Sequence, residues 1–142
     1  MIVSYIEMAG FRGFRERTRF DFPDGFAVLT GRNGAGKSTI IDAFDFALTG
    51  TISKYAVREA KGGGLRDHIW WVGEGKATEH YVTIGLRDES PAPFVITRTR
   101  RDGLVTPLGD LTRRLCLVPS PQPDWREVLV RTSVLRDETI AA

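Results

Sequence analysis

Eight consecutive residues, Gly31-Arg32-Asn33-Gly34-Ala35-Gly36-Lys37-Ser38, have the types and spacing to do chemistry. They fit the pattern G-x-x-x-x-G-K-[ST] in full, the arrangement that holds a phosphate chain. Glycines let the backbone curl until successive N–H groups point inward at phosphate oxygens. A helix opening after the loop turns its positive dipole end toward the same anion. Lys37 supplies a mobile cation for the β- and γ-phosphates, and the Ser38 hydroxyl is a hard oxygen ligand for Mg²⁺. Asn33, Gly34, Ala35, Gly36 and Thr39 complete the candidate phosphate cradle.

Two elements must position that loop. Phe26-Ala27-Val28-Leu29-Thr30 before it is a short apolar run, expected as a strand buried on both faces. After it, 37–48 carries Ile40, Ile41, Phe44, Ala47 and Leu48 at helical spacing, with Gly50 placed as a stop. Upstream, the β-branched segment 2–9 predicts a strand. Gly10-Phe11-Arg12-Gly13-Phe14 reads as a turn, and 18–22 alternates as a second strand stopped by Pro23-Asp24-Gly25. Downstream, 81–86 and 94–98 predict an antiparallel hairpin joined through Pro91-Ala92-Pro93. Between them, 51–78 reads as loops around a short helix, and 124–130 as helical after the proline-rich patch at 119–123.

Composition bounds the class. The 142 residues are 42% hydrophobic and 27% charged, which is globular, and one domain is expected at this length. No apolar run approaches the ~18 residues of a membrane span. Cys116 is the lone cysteine, too few for an internal disulfide or a thiolate zinc site. The first ten residues lack the basic-then-apolar layout of a signal peptide, so the expectation is a cytoplasmic protein. Net charge is only +2, so global basicity does not announce nucleic acid.

A P-loop hydrolase needs a second acidic site, usually an apolar strand ending in carboxylates, to hold Mg²⁺ and activate water. The nearest imitation, Leu86-Arg87-Asp88-Glu89, is broken by an arginine and reads as a solvated turn. No N-K-x-D run marks guanine specificity. The chain looks like half of an active site. Three readings stay open on residues alone: one half of a split ATPase, a stand-alone P-loop small-molecule or nucleotide kinase, and a non-catalytic nucleotide-binding module.

Further residues decide between them by likeness. Gly10-Phe11-Arg12-Gly13-Phe14, then Phe22-Pro23-Asp24-Gly25-Phe26, the loop, Ile40-Ile41-Asp42-Ala43-Phe44 and Ala47-Leu48-Thr49-Gly50 resemble the N-terminal lobe of an SMC/SbcC-type ATPase head. These are ABC-class ATPases of DNA repair and chromosome organisation, with RecF and RecN as cousins. The resemblance implies an α/β P-loop NTPase fold: a mixed sheet around the P-loop helix and a flanking antiparallel hairpin. It divides 1–142 into a strand pair, P-loop and helix (1–50), a connecting region (51–78), the hairpin (79–101) and a helical or loop segment leading toward a coiled coil (102–142). It implies ATP and Mg²⁺ as cofactors, with Arg12 and Arg58 approaching the nucleotide phosphates. Asp137 stands where the family carries an Mg²⁺-coordinating glutamine.

The same resemblance implies partners. Hydrolysis would need the C-terminal half of the head and a second head, as a homodimer, with DNA as the controlled ligand. A nuclease or accessory subunit is compatible, a membrane is not, and a nucleoid-associated place in the cytoplasm follows. Arg98, Arg100 and Arg101, and the pair Arg113-Arg114, are candidate DNA-phosphate contacts or simply solvated faces. Trp70, Trp71 and Trp125 are expected in packing, His68 and His80 as structural, and Cys116 as a small buried hydrophobe.

Overall fold

The computed structural model describes residues 2–25, 27–52, 55, 69–87, 89, 91–107 and 109–110. Strand β1 (Ile2–Ala9) is an inner strand of a five-stranded sheet. It pairs with β2 (Thr18–Asp21) on one side and β3 (Tyr81–Arg87) on the other. β4 (Phe94–Thr99) and β5 (Gly103–Leu104) follow, giving the order β2-β1-β3-β4-β5. Helix α1 (Lys37–Thr49) ends at Gly50, whose φ of 82° supplies the left-handed stop that the sequence predicts.

Period-two alternation explains which face of the sheet is dry. Met8 lies opposite Val82, Ile6 opposite Ile84, Ile84 opposite Ile96 and Leu86 opposite Phe94. All seven are buried. Directly opposed residues share a face, so they form one apolar floor. Ile40, Ala43, Phe46 and Ala47 recur at helical spacing along α1 and join the same core. Phe11 and Trp70 close it, with Trp70 edge-on to both Phe11 and Phe46. Trp70 is therefore a core residue, as expected.

The opposite face is polar and ordered by side-chain bonds. Thr83 and Thr97 share a hydroxyl hydrogen bond of 3.0 Å across β3 and β4. Tyr81 donates its hydroxyl to Glu7 Oε1 at 2.7 Å, and Arg17 donates to Glu7 Oε2 at 3.0 Å. Glu7 is buried, so these two donors satisfy a carboxylate that would otherwise be costly to desolvate. Burial and the bond to Glu7 push the Tyr81 phenol well above its usual range, and the same carboxylate raises Arg17. The Tyr5 ring lies across Gly85, where a Cβ would collide with its Cε1, and the Arg19 guanidinium stacks 3.7 Å over that ring.

Two expectations change. Residues 27–30 form no strand and are all exposed, Val28 at 66%. No described strand pairs with this run, and an unpaired run leaves its apolar side chains in solvent. For the same reason the sheet, among the described residues, is antiparallel throughout rather than mixed, and the hairpin joins β1 within that sheet. The α/β P-loop character stands. Arg58, Asp137, His68, Arg113, Arg114, Cys116 and Trp125 lie outside the described residues.

Candidate functional site

The phosphate loop leads into the first turn of α1. Gly34 and Gly36 have φ of 85° and 97°, values that an L side chain adopts only under strain. The Ala35 N–H donates to the Arg32 carbonyl at 3.1 Å, tightening the curl. Lys37 Nζ donates to the carbonyls of Gly31 and, at 2.8 Å, Arg32, so its cation sits across the base of the loop. Asn33, Gly34, Ala35 and Ser38 are exposed; Gly36, Lys37 and Thr39 are partly covered.

The start of α1 is built for an anion. Gly36 is its N-cap and provides no side-chain capping bond, and no acidic residue sits in the first turn. The helix-end amides and their partial positive charge are thus left for an outside acceptor. Left-handed glycines, open helix-end amides and a lysine across the loop are the features that a phosphate cradle requires. Among the described residues no group of three or more His, Cys, Asp or Glu could hold a metal unaided.

Arg12 stands at the tip of a tight turn with a φ of 47°, unusual for a non-glycine residue. Phe11 and Phe14 exchange backbone hydrogen bonds of 3.0 and 2.9 Å around it, and its own N–H donates to the Ile69 carbonyl at 2.9 Å. Its Nε lies 3.4 Å from Asp42 Oδ2, and Nη2 donates to the Tyr55 hydroxyl at 3.0 Å. Nε is buried without a hydrogen-bond acceptor. The turn is thus tied to the second turn of α1, five residues beyond Lys37. Sequence reasoning missed Asp42 as the anchor. The signal was there: a carboxylate among Ile40, Ile41 and Ala43 on a packed helix must find a cation.

Arg98 is a correction. It is 7% exposed and turns inward from β4, so it is no part of a solvated basic cluster. Its Nε donates to the Ala47 carbonyl at 2.7 Å and its Nη2 to Leu48 at 3.3 Å. Arg100 and Arg101 stay exposed on a cleft of about 790 Å³ that Glu79 and Asp102 also line, with Arg101 Nε 3.9 Å from Asp102. His80 packs edge-on against Trp70, ring centroids 6.0 Å apart, a structural role as expected. At the end of β3, Arg87 pairs with Asp24 and Glu89 is exposed, while Asp88 lies outside the described residues.

A glycine loop feeding an uncapped helix, packed on a sheet, defines a P-loop nucleotide-binding domain. The family model described as "AAA domain" matches residues 5–113, and the chain belongs to that family. Relatives narrow the class to SMC-type heads. The chain is 53% identical over 107 residues to "Chromosome partition protein Smc" of Rhodopirellula baltica, covering 69% of this chain and 9% of that protein. It is 31% identical over 147 residues to the Smc of Halobacteriovorax marinus, covering 93% of this chain and 11% of that one. The "Retron Ec83 probable ATPase" of Escherichia coli is 31% identical over 100 residues, 68% of this chain and 18% of that protein. The chain thus spans about a tenth of the length of these Smc relatives. A solved structure, described as "Structural biochemistry of ATP-driven dimerization and DNA stimulated activation of SMC ATPases", superposes with a TM-score of 0.55 at 25% identity. It covers 69% of this chain, which in turn covers 62% of it. The likeness to an N-terminal SMC-type ATPase head lobe therefore extends from motifs to fold. No described helix is long and apolar enough to cross a membrane.

Proposed function

We propose that this chain is the ATP–Mg²⁺-binding lobe of an SMC-like ATPase head, whose ATP-driven pairing and hydrolysis control DNA binding in repair or chromosome organisation. The observation that carries the reading is the start of α1, with its uncapped amides, left-handed Gly36 and Lys37 across the loop. Asn33 to Thr39 would wrap the phosphates, Ser38 would ligate Mg²⁺, and Arg12 would lend its guanidinium from the neighbouring turn. Arg58 and Asp137 are proposed for phosphate and Mg²⁺ on the family resemblance alone.

Binding is only part of turnover. Phosphoryl transfer depends on positioning and charge stabilisation, and a P-loop alone holds the substrate without orienting water. Hydrolysis therefore needs the C-terminal half of the head and a second head; DNA and an accessory or nuclease subunit are further proposed partners, with a nucleoid-associated location. The relatives' names lend the kinase alternative no support. The test is a fluorescent ATP analogue titrated into the chain and into Lys37→Ala, then ATPase assayed with and without the C-terminal half. Binding lost in Lys37→Ala, with turnover only after completion, is the expected result. Lys37-dependent hydrolysis by the chain alone would return the stand-alone enzyme to first place.

A further inference from the structure

The far end of the P-loop helix is gripped by Arg98, a side chain from the hairpin. The last carbonyls of a helix have no amide partners within it and collect its partial negative charge. In α1 the carbonyls of Ala47 and Leu48 accept from the Nε and Nη2 of Arg98, at 2.7 and 3.3 Å. A planar guanidinium can fork over two neighbouring carbonyls, which a lysine ammonium cannot match in geometry. Gly50 makes the room. A Cβ there would lie 3.0 Å from Arg98 Nη1 and 3.2 Å from its Cζ.

Arg98 is also well placed to transmit. Its neighbours on β4 are fully engaged: Ile96 is in the core, and Thr97 bonds to Thr83 and, through its N–H, to Thr106. Helix α1 is a continuous element of 13 residues, about 20 Å long at ~1.5 Å per residue. Its first turn carries Lys37 and Ser38, and its last turn rests on Arg98. A shift of the helix along its axis must break the fork or drag the hairpin with it.

We propose that Arg98 is a positioning residue for the nucleotide, locking the C-terminal end of α1 to the β3–β4 hairpin so that phosphate binding at one end and ordering of the hairpin at the other are coupled. This rests on the nucleotide reading above. Coupling of this kind is reciprocal: whatever ATP does to the hairpin, loosening the hairpin does to ATP affinity.

Hydrogen exchange of the full chain, with and without ATP–Mg²⁺, tests this. In the wild type, amides of 94–104 should gain protection together with those of 31–39. Arg98→Lys keeps the charge but not the fork. It should keep loop protection at saturating ATP, lose the ATP-dependent gain in the hairpin, and weaken ATP binding roughly fivefold or more, the lower end of site-to-site coupling. Gly50→Ala, which crowds the fork from the opposite side, should reproduce the loss with Arg98 in place. A purely structural role would lower hairpin protection in both conditions without removing the ATP-dependent difference, and that outcome overturns the proposal. So does loop protection without hairpin protection in the wild type. Absence of ATP-dependent protection at the loop itself, with Lys37→Ala indistinguishable from wild type, instead overturns the nucleotide reading on which the proposal rests.

Discussion

Phe14 lies directly on the last glycine of the phosphate loop: a Cβ on Gly36 would stand 2.9 Å from the ring's Cζ. The turn that carries Arg12 is therefore packed against the loop as well as tied to α1 through Asp42. Gly36→Ala should suffer twice, from a φ of 97° and from the ring. Left-handed strain alone costs about 1–3 kcal/mol. We predict a lowered Tm and weakened binding of an ATP analogue. Adding Phe14→Ala should recover the steric part only. Full recovery in the double variant would show that backbone conformation at Gly36 is unimportant.

Ser38→Ala should weaken ATP binding when Mg²⁺ is present and leave Mg²⁺-free binding nearly intact. The hydroxyl is exposed in the first turn of α1, where its removal disturbs no core packing. Isothermal titration with and without EDTA reads the difference. Equal losses in both conditions would remove Ser38 from the metal.

Arg12 has two proposed jobs that variants can separate. Arg12→Ala deprives the buried Asp42 carboxylate of this cation, and losing one partner of a buried polar pair costs about 1–3 kcal/mol. We predict lower stability and lower ATP affinity together. Combining it with Asp42→Asn should restore much of the stability while ATP affinity stays low. If affinity returns with stability, Arg12 serves the fold and not the phosphates.

DNA binding by the assembled head, if carried by this lobe's basic turn, should depend on Arg100 and Arg101 and not on Arg98. Replacing both exposed arginines with alanine leaves at most two DNA phosphates without their cation. The slope of log K against log salt should then fall by about 0.9 for each phosphate no longer neutralised. An unchanged slope would leave the turn a solvated face, consistent with Glu79 and Asp102 beside it.

The Tyr81 phenol should ionise later than a free tyrosine. Its folded pKa lies above the unfolded value of 10.0, because burial and the bond to Glu7 favour the protonated form. Its contribution to stability is complete below pH 10 and is lost as pH rises through the raised value. In an alkaline titration followed by tyrosinate absorbance, a late ionisation should appear, and Tyr81→Phe should abolish it. A folded protein in which Tyr81→Phe removes no late step would contradict this.

Local signals were legible in the sequence and distant ones were not. Helix α1, the turn at Arg12, both hairpin strands and the phosphate loop follow from glycine placement, apolar spacing and strand-forming residues nearby in the chain. The run at 27–30 misled because apolar content shows that a segment can be buried, not that a partner strand is present. Arg98 misled for the complementary reason. Beside Arg100 and Arg101 it looks like part of a basic surface, yet strand alternation sends it to the dry face with Ile96 and Phe94. The pairing of Arg12 with Asp42 needed the turn and the helix to be placed in space.

The strand order also has a meaning in time. β1–β2, β3–β4 and β4–β5 each join strands that are consecutive in the chain, while β1–β3 must wait for the segment bearing the phosphate loop and α1 to be brought round. Contacts of long sequence separation carry the larger closure entropy and set folding speed. The β1–β2 hairpin and the β3–β4–β5 meander are thus expected to form early, and closing the β1–β3 seam, where Ile6 meets Ile84, is the step that sets the rate. By this account α1, which packs on both β1 and β3, is seated only when that seam shuts.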